Sequence, residues 1–178
     1  MGLVSSIGED VIIDHDVYIK HPSRVAIGNR VAIDKGFYCT TSARIGDYVH
    51  ISPFVTCIGS ARGEFTAMGF NNIMAGARIV CGSDIFDDSG LHGALIPKEL
   101  KGTELYKPVV MEPFSNIGTN AVVLCGSTLR KGVLLTVGSV LRGDTVEWGV
   151  YSGNPAKLVR VIDGSKIIAA AKELGYEF

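Results

Sequence analysis

The sequence lacks a long apolar run, an excess of charge of either sign and any dense group of cysteines. No stretch reaches the roughly 18 apolar residues of a membrane-spanning helix. The 17 Lys and Arg residues against 18 Asp and Glu give a net charge of −1, which argues against electrostatic binding of nucleic acid. The amino-terminal segment MGLVSSIGED has no basic region followed by an apolar run, so we expect no signal peptide and a cytoplasmic location.

Cysteine and histidine are both sparse, with 4 of each in 178 residues. Cys39 and Cys57 fall at inward positions of the repeat described below, so buried free thiols in a reducing compartment fit better than disulfides. A zinc enzyme would need three convergent histidines, but His15 and His21 are six residues apart and His50 and His92 show no ligand spacing. We therefore expect no metal.

What the sequence does contain is a six-residue period. From Val25 to Gly59 one position recurs at Ile27, Ile33, Cys39, Ile45, Ile51 and Cys57. This period matches neither the 3.6-residue turn of a helix nor the alternation of a long strand. It predicts very short strands joined by tight turns, with three hexads to a coil, so that residues eighteen apart stack in the interior. The predicted fold class is all-β, a parallel β-helix of hexapeptide repeats.

Three segments interrupt the repeat, and a tail follows it. The breaks are HPSR at 21–24, GSARGEF at 59–65 and a long protruding loop at about 82–108. Loops of this length in a compact domain are usually functional or disordered. We expect a β-helix domain over 1–162 and a helical tail over 163–178, with Ser165 as the helix N-cap. The apolar side of the tail is expected to cover the open end of the coil stack with Ile167, Ile168, Ala171 and Leu174.

The hexads, the long loop and the segment YSGNPAKLVRVI at 151–162 together resemble the left-handed β-helix, hexapeptide-repeat acyltransferases. The resemblance covers roughly residues 5–162, and GNPAK is typical of the acetyl-CoA-dependent members. It implies left-handed coils, acetyl-CoA as co-substrate, and a homotrimer with active sites between subunits. The nearest branch is that of bacterial sugar acetyltransferases for surface polysaccharide synthesis.

The resemblance also indicates where catalytic residues should lie, and this chain departs from the pattern there. Many members open the long loop with Gly-Ser-His or Gly-His and use that histidine as the base, whereas this chain has Gly82-Ser83-Asp84. Asp84 is therefore the first candidate, His92 within the loop is the second, and His50 is the third. His50 lies in IGDYVHIS, which resembles a segment of amino-sugar acetyltransferases, but Thr41-Ser42 replaces their His-Asp pair.

For coenzyme A, the resemblance assigns basic side chains to the phosphates and backbone to the pantetheine arm. Lys157 and Arg160 match the closing motif, and Arg142 stands where relatives have Thr or Lys. Backbone near Thr119 and Gly138 should contact the pantetheine arm. Asn116 replaces a tryptophan that is common in relatives.

The substitution of Asp84 for histidine bears on the acceptor. A sugar hydroxyl needs a strong base, whereas a sugar amine with a pKa of about 8 is partly neutral at pH 7. The sequence therefore favours N-acetylation of a nucleotide-linked amino sugar by acetyl-CoA. The alternatives are O-acetylation of a saccharide hydroxyl, with His92 folded back as base, and a non-catalytic β-helix scaffold.

Overall fold

The computed structural model describes residues 4–178 and shows a parallel β-solenoid whose coils are built from strands of two to four residues. Each coil contributes one strand to each of three faces, here named A, B and C, and the strands are numbered in chain order. Residues 1–3, part of the stretch on which the signal-peptide expectation rests, lie outside the described residues. Within the described part, no helix is long and apolar enough to span a membrane.

Neighbouring strands within each face are hydrogen-bonded. Face A contains β1 (Ser6–Ile7), β4 (Val25–Ile27), β7 (Ser42–Ile45), β10 (Glu64–Ala67), β15 (Val109–Met111) and β18 (Thr128–Leu129). Face B contains β2 (Ile12–Ile13), β5 (Ala32–Ile33), β8 (His50–Ile51), β11 (Asn72–Ile73), β16 (Asn116–Ile117), β19 (Leu134–Leu135), β21 (Gly149–Ser152) and β22 (Lys157–Val161). Face C contains β3 (Tyr18–Ile19), β6 (Tyr38–Cys39), β9 (Thr56–Ile58), β12 (Arg78–Val80), β17 (Val122–Val123) and β20 (Val140–Leu141).

The interior consists of stacked apolar side chains, as the hexads predict. Ile27 lies opposite Ile45 on face A, and Cys39 lies opposite Cys57 on face C. All four of these side chains are buried, and both cysteines are free thiols. The hydrogen-bonded parallel ladder and the stacked apolar rows hold the coils together. The predicted fold class is confirmed.

Short 3₁₀ helices occupy the first two breaks in the repeat. They are η1 (Pro22–Arg24) and η2 (Ser60–Arg62), and a third, η3 (Lys98–Leu100), lies within the long loop. The long loop is an ordered arm (residues 82–108) rather than an irregular loop, because β13 (Gly82–Asp84) pairs antiparallel with β14 (Glu104–Tyr106) at its base.

The carboxyl-terminal helix α1 (Ser165–Glu173) forms, but its predicted position is wrong. It does not cover the end of the coil stack: it lies along the side of the solenoid, where Ala170, Ala171 and Leu174 line a cavity with Tyr48 and Phe114. Ala171 is buried, but Ile167 and Leu174 are exposed. Ser165 is the first helical residue and not the N-cap, and its N–H donates to the Asp163 carboxylate over 2.9 Å.

An aromatic column explains where the tail docks. Tyr48, Phe70, Phe114 and Trp148 occupy the corner between faces A and B, each with φ between +52° and +67°. Gly132 takes this corner in the coil between Phe114 and Trp148. Left-handed backbone is unfavourable for bulky residues, so ring packing must offset its cost. Tyr48 and Phe70 stack at 4.8 Å, and Tyr176 and Phe178 from the tail pack edge-on against Phe70 at 5.1 and 5.5 Å. The tail thus extends the apolar corner rather than the coil stack.

Candidate active site

The arm begins directly after β12 on face C, and Asp84 lies at its base. Asp84 ends β13 and lies opposite Glu104, while Gly82 lies opposite Tyr106. A Cβ at Gly82 would lie 2.6 Å from a Tyr106 ring carbon, so only glycine allows this close approach. Asp84 is half-buried. The local structure therefore fixes the Asp84 backbone against the coils rather than leaving it on a free loop.

A charged cluster fixes the other strand of the arm. The Glu104 carboxylate accepts from both Lys101 and Arg62, and Arg62 also donates to the Tyr106 hydroxyl over 2.9 Å. The Arg62 guanidinium lies 4.0 Å from the centre of the Tyr106 ring. The hydrogen bond from Lys101, followed by that from Arg62, lowers the pKa of Glu104 to about 2. Arg62 belongs to η2, the 3₁₀ helix in the second break of the repeat. This short helix therefore holds the arm, which is the third break, through the contact of Arg62 with Glu104.

Two cavities meet at the base of the arm, and Ser83 and Asp84 line both. The first, here called the coil cavity, has a volume of about 640 Å³. Its lining comprises Val80, Ser83, Asp84, Ile85, Phe86, Leu105, Lys107, Leu124, Cys125, Gly126, Arg142 and Gly143. The second, here called the arm cavity, has a volume of about 400 Å³. Its lining comprises Gly59, Ser60, Arg62, Gly82, Ser83, Asp84, Gly93, Ala94, Lys101, Glu104 and Tyr106.

His92, the second catalytic candidate, lies within the arm but lines neither of these cavities. Its ring packs at 4.8 Å against Phe86, which does line the coil cavity. Its Nδ1 atom is buried without a hydrogen-bond partner among the described residues. The structure thus places His92 near the coil cavity but behind Phe86.

His50, the third candidate, lies elsewhere on the coil. It points outward from face B, and its Nε2 atom lies 2.9 Å from Asp34 Oδ2. A third cavity of about 630 Å³, lined by His50, Asn72, Asn116 and residues of α1, adjoins it. The contact between Asp34 and His50 could have been predicted from the coil length. Ala32 is the direct partner of His50 on the neighbouring strand, so Asp34 is the diagonal neighbour of His50 on the same face.

The predicted coenzyme A residues lie in three places, two corners of the solenoid and the terminal strand pair of face B. Gly138 N–H donates to the Thr119 carbonyl over 2.9 Å, so these two stack at the corner between faces B and C. Lys157 lies opposite Ser152 in the terminal strand pair, and Arg160 lies opposite Val150 in that pair. Arg142 is at the corner between faces C and A, where it lines the coil cavity with Asp84. Of the five predicted residues, the fold therefore brings only Arg142 to the base of the arm.

Several residues that line the two cavities were not predicted from the sequence. Arg62, Lys101, Glu104 and Tyr106 line the arm cavity, and Lys107 and Cys125 line the coil cavity. Burial raises the pKa of the Cys125 thiol, which makes it a poor nucleophile at neutral pH. Across residues 4–178, no three His, Cys, Asp or Glu side chains are grouped as metal ligands would be.

Comparison with known proteins finds a similar sequence among the acyltransferases. The chain is 28% identical over 163 residues to a dTDP-4-amino-4,6-dideoxy-D-glucose acyltransferase of Escherichia coli, covering 85% of this chain and 79% of the relative. No protein-family model matches.

Solved structures share the fold. A variant of AntD, an N-acyltransferase from Bacillus cereus in complex with dTDP and coenzyme A, superposes with a TM-score of 0.91 at 22% identity, covering 97% of this chain and 92% of that one. Another AntD variant, in complex with dTDP-4-amino-4,6-dideoxyglucose and coenzyme A, gives a TM-score of 0.89 at 23% identity over 97% and 91% of the two chains. The predicted resemblance to hexapeptide-repeat acyltransferases is confirmed.

Proposed function

We propose that this protein is an acetyl-CoA-dependent N-acetyltransferase that acetylates the amine of a nucleotide-linked amino sugar. The observation that carries the proposal is the position of Asp84, an acceptor-only carboxylate between two cavities at the base of the arm. The E. coli relative acts on a dTDP-linked amino sugar and the B. cereus relative is an N-acyltransferase, both in agreement with an amine acceptor.

In this mechanism Asp84 binds the acceptor as its ammonium form and orients the nitrogen after one proton passes to solvent. The neutral amine attacks the thioester carbon, the carbon–nitrogen bond forms, and the carbon–sulfur bond breaks. The nitrogen gives up its second proton, which ends on the departing thiolate, so coenzyme A leaves as the thiol. Because a sugar amine is nucleophilic near neutral pH, the chain needs a group that positions it more than a strong base.

For the donor, we assign Arg142, Lys157 and Arg160 to the phosphates of coenzyme A and the backbone of Thr119 and Gly138 to the pantetheine arm. Cationic side chains suit phosphates, and backbone groups at a coil corner suit the pantetheine amides. We further propose a cytoplasmic homotrimer that serves surface polysaccharide synthesis. Exposed apolar side chains on the arm, including Phe86 at 83% and Leu95 at 97% exposure, support contact with a second copy.

A second candidate function, O-acetylation, is favoured by one observation, the His50–Asp34 pair. A carboxylate that holds a histidine ring can prepare it to take a proton from a hydroxyl. His92, whose ring packs against Phe86 and which lines neither cavity at the arm base, is less well placed for that reaction.

An acetyl-CoA consumption screen tests the proposal. It compares nucleotide-linked amino sugars with neutral saccharides, each at equal concentration. Turnover with an amino sugar and none with neutral saccharides is the expected result. Turnover of hydroxyl acceptors alone favours the second candidate, and no turnover of any acceptor contradicts both.

A further inference from the structure

The two cavities at the arm base differ in chemistry although they share Ser83 and Asp84. The coil cavity is mainly apolar, with Val80, Leu105 and Leu124 among its lining residues. Its two cations, Lys107 and Arg142, have no carboxylate within 4.0 Å among the described residues. An apolar wall with unneutralised cations suits a ligand that has both an uncharged chain and phosphates.

The arm cavity is polar, and its charges cancel. Arg62 and Lys101 are both paired with Glu104, and Asp84 supplies the second negative charge. A cavity without net positive charge has little attraction for a phosphate group. Arg62 and Lys101 are both paired with Glu104, so the positive potential that would attract an anion is largely cancelled.

The same side chains keep hydrogen-bonding capacity. A lysine ammonium has three N–H donors and an arginine guanidinium five, so the contacts of Lys101 and Arg62 leave donors available. The Ser60 hydroxyl can donate or accept. The Tyr106 hydroxyl accepts from Arg62 and donates to Glu104 over 3.3 Å, so it keeps one lone pair that can accept a further hydrogen bond. A neutral lining with many donors and acceptors in about 400 Å³ matches a single ring that carries several hydroxyls.

We infer that the arm cavity binds the sugar ring of the acceptor, while the donor approaches Asp84 from the side of the coil cavity. This inference rests on the proposed function and adds the side from which each substrate reaches Asp84. Tyr106 and Lys101 then act as specificity-determining residues for the sugar, and the Arg62–Glu104 contact holds them in place. The enzyme should prefer an uncharged amino sugar to one that carries a carboxylate.

Steady-state kinetics of two variants test this assignment, with the best amino-sugar acceptor of the screen as substrate. Tyr106→Phe removes one hydroxyl and keeps the ring, and Lys101→Met removes the ammonium and keeps the apolar stem. We expect each to raise the KM for the acceptor at least threefold and to leave the KM for acetyl-CoA within a factor of two. Tyr18→Phe, an exposed tyrosine on face C, is the matched control and should change neither.

The outcomes separate the inference from the proposed function. Failure of the wild-type protein to acetylate any amino sugar contradicts the proposed function itself. If the wild type is active, an unchanged acceptor KM in both variants overturns the cavity assignment alone. So does a larger effect on acetyl-CoA than on the acceptor. Melting temperatures of the variants near that of the wild type exclude misfolding as the cause.

Discussion

At the scale of single residues, the site depends on which groups the arm base holds in place. Asp84 is fixed because its strand pairs with β14, and β14 is in turn held by Arg62 through Glu104 and Tyr106. The lowered pKa of Glu104 means that this carboxylate is ionised throughout the physiological range. Its contribution to stability is present above pH 4.5, the usual value for glutamate, and is lost as pH falls towards 2.

Removal of the Asp84 charge should impair turnover more than folding. We expect Asp84→Asn to lower kcat/KM for the acceptor at least about tenfold, because an amide can no longer bind an ammonium by charge. The melting temperature should change little, since Asp84 forms no ion pair within 4.0 Å among residues 4–178. Asp88→Asn, an exposed arm residue, is the matched control. Wild-type kinetics in Asp84→Asn would remove that residue from the mechanism.

The pH dependence of the rate distinguishes the amine mechanism from a histidine base. With an amine acceptor, kcat/KM should rise with pH and level off near the amine pKa, roughly 8. His50→Gln should keep this profile with a small loss of rate, and His15→Gln, whose exposed ring lies beside Asp14, is its control. A rise centred near pH 6.5, the usual region for histidine, that disappears in His50→Gln would instead identify the His50–Asp34 pair as the base.

At the scale of elements, the arm and the tail are both held by contacts distant in sequence. Hydrogen bonds from Asn29 and Tyr176 outweigh partial burial and lower the pKa of Asp47, while the same bond from Tyr176 raises the tyrosine pKa. The Tyr176 hydroxyl donates to Asp47 over 2.7 Å. The tail is thus fastened to the aromatic column by one charged hydrogen bond as well as by ring packing.

Loss of the hydrogen bond between Tyr176 and Asp47 should lower stability only at pH values where Asp47 is ionised and Tyr176 is protonated. We expect Tyr176→Phe to lower Tm at pH 7. The deficit should shrink as pH falls below 3.8, where the lowered Asp47 pKa is approached, and as pH rises above 10, through the raised Tyr176 pKa. Differential scanning calorimetry against Tyr38→Phe, which lies exposed on face C, measures it. A deficit that is the same at all pH values would assign the effect to packing alone.

At the scale of the whole molecule, the sequence predicted the solenoid because each hexad repeats a local rule, and stacking then follows from the period. The tail position was not predictable, because an apolar stripe does not specify which surface it covers. The contact that holds the arm hairpin in place was not predictable for a similar reason. Arg62 and Glu104 are 42 residues apart in the sequence, and no periodicity connects them. The Asp34 partner of His50 could have been found, since the coil length fixes diagonal neighbours.

The exposed apolar arm leads to a prediction about assembly. We expect a homotrimer at micromolar concentration, because side chains such as Phe86 and Leu95 find no cover within one described chain. Light scattering coupled to gel filtration measures the mass. Phe86→Ser combined with Leu95→Ser should weaken the assembly, and a monomer mass for the wild type would contradict the prediction.

The central claim is transfer of an acetyl group to a sugar nitrogen. The most direct measurement incubates the protein with acetyl-CoA and either dTDP-4-amino-4,6-dideoxyglucose, the sugar bound in the AntD complex, or its counterpart with a hydroxyl at the same carbon. Mass spectrometry detects the products, and mild hydroxylamine treatment distinguishes amide from ester. We expect a hydroxylamine-stable N-acetyl product from the amine and none from the hydroxyl compound. A hydroxylamine-labile ester, or equal turnover of the two compounds, would contradict it.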